Sequence, residues 1–197
     1  MIKLYQYGRT PPEHMGVIDP TSRSQGWDRE LSPFLLGPVE LYRGFWSQNV
    51  ENAWQYSKVY REFLDGNGDP HASYWTWAQR GWSRVKAVRY PMGKGMTPVY
   101  SYWDGEKLDY VQARKKIYCP LYARAVEQSP AWGQLVRLYE MLKKRDIPLV
   151  IRDFDVYDMD AAGVTYQQVI NDPTKKMGHG FVLAMMLDGA RVWNNVE

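Results

Sequence analysis

Residues 131–144, Ala131-Trp132-Gly133-Gln134-Leu135-Val136-Arg137-Leu138-Tyr139-Glu140-Met141-Leu142-Lys143-Lys144, are followed closely by Ile147-Pro148-Leu149-Val150-Ile151, and reading these two segments decides the fold class. In the first, Leu135, Leu138, Tyr139 and Leu142 recur at three and four residues, which places them on one face of an α-helix. The second is a short apolar run of strand length, and it leads into Arg152-Asp153-Phe154-Asp155-Val156-Tyr157-Asp158. Upstream, Met1 to Tyr7 alternates apolar and polar residues like a strand, Thr10 to Gly26 has the Pro/Gly/Ser/Thr content of a loop, and Pro38 to Tyr42 alternates again before Gly44. Asn49 is placed to cap a helix running from Val50 to about Leu64, where Asp65-Gly66-Asn67-Gly68-Asp69-Pro70 stops it. Tyr74 to Tyr90 reads as a second helix. Pro91 to Gly95 and Tyr100 to Lys107 read as loops, Leu108 to Val126 as a helix broken or kinked at Pro120, and Gly180 to Leu187 as a last helix. Helices dominate and the few short strands do not alternate with them. The expected fold is therefore α+β, one helix-dominated domain over residues 1–197, with residues 1–30 as a strand-and-loop extension.

Apolar residues make up 45% and charged residues 24% of the 197, which excludes a disordered chain. Nine Trp and fifteen Tyr supply rings for a core, and their polar tips also suit stacking on planar ligands. The balance of 25 Lys+Arg against 22 Asp+Glu, a net +3, is too mild for the concentrated basic face that duplex nucleic acid requires. Cys119 is the single cysteine, so no internal disulfide forms. No segment has the apolar length of a membrane span, and the first residues lack a signal-peptide apolar stretch. A cytoplasmic protein without a membrane partner is expected.

Glu51, Gln55 and Lys58 stand at i, i+4 and i+7 of the segment that opens at Val50, hence on one face. Such a row is either a solvated face or a carboxylate at the bottom of a pocket, with an amide and an ammonium beside it to orient an anionic or sugar ligand.

Leu31-Ser32-Pro33-Phe34, then Gly37-Pro38-Val39-Glu40-Leu41, then Val50-Glu51-Asn52-Ala53-Trp54-Gln55-Tyr56-Ser57-Lys58 resembles the opening of the NADAR/YbiA-like N-glycosidases. The order continues with Ala87 to Lys94 and Trp103, then Leu149-Val150 and Asp155-Val156-Tyr157, then Lys176 to Leu183, so that the resemblance spans about Leu31 to Leu187. It implies a YbiA-like fold and a hydrolase of the ribose–base N-glycosidic bond. The substrate would be a nucleotide-like small molecule or an ADP-ribosylated base, with nucleic acid as an alternative carrier of that base. In this reading Glu51 and Asp155 are the catalytic carboxylates, and Gln55, Lys58, Lys94, Trp103 and Tyr157 bind substrate. Lys94 meets a phosphate, Trp103 is a stacking platform, and neither metal nor cofactor is needed. The chain departs from the family pattern at Asn52, where the family has His, and at Asp158-Met159, where it has Trp-Gly.

Breaking a ribose–base bond passes through an oxocarbenium-like transition state, which calls for a carboxylate near C1′ and for groups that hold the base. Trp54, Tyr56, Trp75, Trp77 and Trp82 read as core or pocket wall, and His179 sits near a helix start beside Lys175 and Lys176. Two other functions fit parts of the chain. Asp153, Asp155, Asp158 and Asp160 after a strand suit a metal-dependent sugar-nucleotide transferase. Lys94, Arg114-Lys115-Lys116 and the aromatic residues suit a non-catalytic module that binds ADP-ribose or another nucleotide.

Overall fold

A computed structural model of the chain describes residues 1–194. Strand β1 (Ile2–Gln6) leads to β2 (Gly16–Ile18), β3 (Val39–Glu40) and β4 (Trp46–Ser47), then helix α1 (Val50–Tyr56), strand β5 (Lys58–Val59) and helix α2 (Ala72–Trp82). Strands β6 (Tyr100–Trp103) and β7 (Glu106–Leu108) precede α3 (Tyr110–Ala113), a π-helical turn (Arg114–Tyr118), α4 (Cys119–Gln128) and α5 (Pro130–Lys144). Strand β8 (Leu149–Asp153) is followed by α6 (Met159–Ala162), α7 (Tyr166–Asn171) and α8 (His179–Leu187). The architecture is mixed α+β, as expected, with three small sheets among the described residues.

The sheet that matters most has the order β1-β8-β2, all parallel, with Leu4 and Ile18 both in register with Ile151. A central parallel strand is buried on both faces, which is why Leu149-Val150-Ile151 is an unbroken apolar run with each residue fully buried. Residues 1–18 thus supply both neighbours of β8. Helix α8 is apolar all round and buried from His179 to Met186, packing on α4 and β8 as the central helix of the core.

Several elements differ from expectation. Helix α1 stops at Tyr56 rather than Leu64: Ser57 Oγ turns back to the Trp54 carbonyl (2.9 Å), and Lys58-Val59 leave as a strand paired with β6. The stretch expected as a loop around Trp103 is a hairpin. Its turn, Asp104-Gly105, has positive φ at both residues (46° and 97°), the pairing that a two-residue hairpin favours. Helix α2 ends at Trp82, and residues 83–98 run without regular structure. Pro120 does not break the helix between Tyr110 and Gln128. It sits in the first turn of α4, where its missing N–H is tolerated, directly after the π-turn that reshapes the ladder before it. Glycine is required where α2 crosses α1, because a Cβ on Gly81 would lie 2.0 Å from the Tyr56 ring. Among the described residues, no helix is long and apolar enough to cross a membrane.

Candidate functional site

The start of α1 is fixed from both sides. Asn49 caps it by accepting from the Asn52 amide at 2.8 Å, and the Glu51 amide donates to the Pro33 carbonyl at 2.9 Å. This sets the Glu51 side chain, 5% exposed, at the floor of a cleft of about 530 Å³. Glu51 Oε1 accepts from Gln55 Nε2 (2.9 Å), and Gln55 Oε1 accepts from Lys58 Nζ (2.7 Å). The expected row is therefore a hydrogen-bonded chain, although Lys58 reaches it from β5 and not from the helix. The Lys58 ammonium also lies 4.7 Å from the centroid of the Trp54 ring.

Burial pushes the Glu51 carboxyl above its usual range, against the opposing pull of the Gln55 hydrogen bond and of the positive charges on Lys58 and Arg89. Burial also pushes the Lys58 ammonium down to about 8, despite the attraction of Glu51. Burial thus opposes the charge on both groups, while their proximity favours it.

The facing wall comes from the end of β8 and the segment beyond it. Asp155 accepts from Arg89 Nη2 at 2.7 Å, and both residues line the cleft. Asp153 is buried and committed: Oδ1 accepts from the Phe154 amide (2.7 Å), Oδ2 accepts from the Gly180 amide (2.9 Å) and stands 3.1 Å from His179 Nδ1. A Cβ on Gly178 would fall 2.2 Å from that carboxylate, so only glycine allows α8 to start there. His179 Nε2 in turn lies 2.9 Å from the Pro20 carbonyl, tying the loop that brings Thr21, Ser22 and Arg23 to the cleft. Asp158 caps α6 through the Ala161 amide. The acidic run is thus dispersed over separate tasks, and among the described residues no three His, Cys, Asp or Glu side chains are grouped to hold a metal ion.

The third wall is the π-turn. Arg114, 1% exposed, donates to the carbonyls of Val169, Ile170, Asp172 and Lys175, and its guanidinium lies 4.1 Å from the Tyr110 ring centroid. These bonds fix the segment that carries Lys176 and Met177 into the cleft. Tyr118, Trp54, Phe34, Tyr90 and Phe154 supply aromatic surface. Arg23 lies over the Phe154 ring at 5.1 Å from its centroid.

Of the residues singled out from sequence, Glu51, Gln55, Lys58 and Asp155 meet in this cleft. Trp103, Lys94 and Tyr157 do not line it. Trp103 packs edge-on against Tyr42, centroids 4.7 Å apart, because the hairpin turns it into the aromatic cluster behind α2. Lys94 is exposed, and only its flanking glycines, Gly93 and Gly95, reach the rim. Tyr157 packs edge-on against Phe181 at 5.0 Å, with Lys175 Nζ 4.5 Å from its ring centroid. Sequence reasoning missed Arg89, Tyr118 and Arg23, and gave Arg114 a role only in the nucleotide-binding alternative. A signal for two of them was present, since Tyr110, Arg114 and Tyr118 fall at i, i+4 and i+8 of a run read as helical.

Residues 5–164 match the model of a family described as a family of unknown function (DUF6939), and the chain belongs to that family. The match includes Glu51, Arg89, Arg114, Tyr118 and Asp155 and stops before Lys176 and His179. No curated protein and no solved structure matches the chain.

Proposed function

We propose that the protein is an N-glycosidase-like hydrolase that cleaves the ribose–base N-glycosidic bond of a nucleotide-like substrate, with Glu51 as the working carboxylate. One observation carries this reading: a buried carboxyl, raised by burial, stands at the floor of a cleft whose walls combine aromatic faces with cations. Aromatic rings suit the base, whereas Arg23 and Lys176 suit an anionic substituent on the sugar. The likeness of the Glu51 segment to the NADAR/YbiA-like N-glycosidases supports the same assignment.

In the reaction, the C1′–N bond breaks and its electron pair goes to the base nitrogen, while water oxygen bonds to C1′. The water proton passes to Glu51 and on to the base nitrogen, leaving ribose with a hydroxyl at C1′ and the free base. Lys58, linked to Glu51 through Gln55, holds that carboxyl in place and tunes its proton affinity. Asp155, set by Arg89, contacts the ribose. The transferase alternative is not favoured, because the oxygens of Asp153 are already bonded to two backbone amides.

Glu51→Gln tests the assignment. The amide keeps an oxygen for Gln55 Nε2 and loses the acid–base function, so the variant should fold, bind ligand and turn over at least about a hundredfold more slowly. Unchanged turnover, with an intact circular dichroism spectrum, removes Glu51 from the chemistry, and a collapse of the fold makes it structural. Ligand binding by the wild type without cleavage decides for a non-catalytic nucleotide-binding module.

A further inference from the structure

We infer that Tyr118 is a further catalytic residue of this cleft, whose phenol donates a hydrogen bond to the departing base beside Glu51. The inference rests on the hydrolase reading and names a group that neither the sequence motifs nor the acid–base pair account for.

Tyr118 is only 7% exposed, yet it lines the cleft, and among the described residues its hydroxyl has no hydrogen-bond partner. Two fully buried tyrosines, Tyr74 and Tyr122, spend theirs on the backbone, whereas Tyr56 and Tyr60, like Tyr118, make no side-chain hydrogen bond among the described residues. Tyr74 donates to the carbonyls of Tyr56 and Ser57 (3.2 Å each), and Tyr122 donates to that of Leu31 (2.7 Å). The buried hydroxyl of Tyr42 is also unpaired, but it belongs to the aromatic cluster with Phe45, Trp82 and Trp103, away from the cleft. Unlike that of Tyr42, the Tyr118 hydroxyl is not shut away from solvent. At Tyr118 that donor faces a space where a ligand would satisfy it.

The ring is held for this task. It packs between Trp54, at 5.3 Å, and Tyr122, at 6.2 Å and nearly parallel (15°). The π-turn, a feature often found at functional sites, ends on this residue and delivers it to the wall of the cleft. Burial, then the negative charges of Glu51 and Asp153, push the phenol well above its usual range, so it acts as a neutral donor and neither a base nor a nucleophile.

As the C1′–N bond breaks, the electron pair arriving on the base nitrogen spreads onto the acceptors conjugated with it. A hydrogen bond from Tyr118 to one of those acceptors strengthens in step with that charge. Tyr118 keeps its proton throughout, and the water proton follows the path through Glu51.

Tyr118→Phe removes the hydroxyl alone. Three measurements on wild type and variant decide: melting temperature without ligand, calorimetric binding of ribose 5-phosphate, and base release from purine and pyrimidine ribosides and ADP-ribosylated guanine. The expected result is a melting temperature unchanged or raised, kcat lowered about a hundredfold with KM within about threefold, and unaltered affinity for ribose 5-phosphate, which carries no base. Equal kcat in the two proteins overturns the role of Tyr118 and leaves the hydrolase standing. A lowered melting temperature with a matching loss of ribose 5-phosphate affinity also overturns it, by showing a structural role. Wild type that releases no base overturns the hydrolase and this inference together.

Discussion

At the scale of single residues, the site turns on one carboxyl and one ammonium that burial drives toward neutrality. The ordinary Glu value is 4.5, and in the fold Glu51 titrates above it, so the native state binds the extra proton between the two values. The favourable contribution is present below 4.5 and is lost as pH rises through the folded value. Lys58 behaves in the opposite sense: between about 8 and 10.5 the unfolded chain holds the proton that the native state releases, so stability rises with pH across that window. Urea unfolding should therefore find Glu51→Gln at least as stable as wild type at pH 8, with the difference shrinking by pH 4. A variant less stable than wild type at pH 8 but not at pH 4 would mean that the ionised carboxylate stabilises the fold and that burial is not the dominant cause. The row Glu51, Gln55, Lys58 was legible in the sequence because helical spacing is a local property. Trp103 was misplaced because the partner of an aromatic ring, here Tyr42, is chosen by tertiary packing that no local spacing encodes.

At the scale of elements, the helix carrying Glu51 is joined to the irregular segment after α2 by two side chains, its cap Asn49, which donates to the Val85 carbonyl (3.1 Å), and above all Asn52. Asn52, fully buried, donates from Nδ2 to the carbonyls of Arg84 (2.9 Å) and Lys86 (3.2 Å) and accepts from the Val88 amide (2.9 Å). This brace sets the path that delivers Arg89 to Asp155. Asn52→Ala leaves three partly buried backbone groups without partners, at about 1–3 kcal/mol each where water cannot replace the bond. The expected loss of stability is about 3 kcal/mol or more by urea unfolding, with faster hydrogen exchange at Val88. A loss under about 1 kcal/mol would show that the segment holds its path unaided. Elements with strong local signals were legible: α5 with its apolar face, α8, and the apolar run of β8. The Asp104-Gly105 hairpin and the Thr165-to-Gln168 capping box of α7 carried local signals as well, yet the first was read as a loop and the second was not read as a helix start. The early end of α1 was not legible, since it depends on Lys58-Val59 pairing with strand residues some forty positions later.

At the scale of the molecule, the cleft is assembled from the N-terminal loop, α1, the segment after α2, the π-turn, the end of β8 and the start of α8. Residues 1–30 do more than extend the fold: β1 and β2 flank β8, and Pro20 is tied to His179, which is tied to Asp153. Deleting residues 1–7 should remove one neighbour of β8, lower the melting temperature by more than about 5 °C and weaken nucleotide binding. A truncated chain with unaltered melting would contradict this placement of β1. Because Glu51 and Asp155 act directly on sugar and water in this account, base release should survive dialysis against EDTA. Strict dependence on added magnesium or manganese would instead make Asp153 and Asp155 metal ligands and favour the transferase.

The central claim is that this cleft hydrolyses a ribose–base bond through Glu51. The most direct test incubates wild type and Glu51→Gln with purine and pyrimidine ribosides and ADP-ribosylated guanine in heavy-oxygen water, and follows the products by mass spectrometry. The account predicts free base without label and ribosyl product carrying one heavy oxygen at C1′, formed by wild type and nearly absent with Glu51→Gln. No base released by wild type from any of these substrates, or equal release by the two proteins, would contradict it.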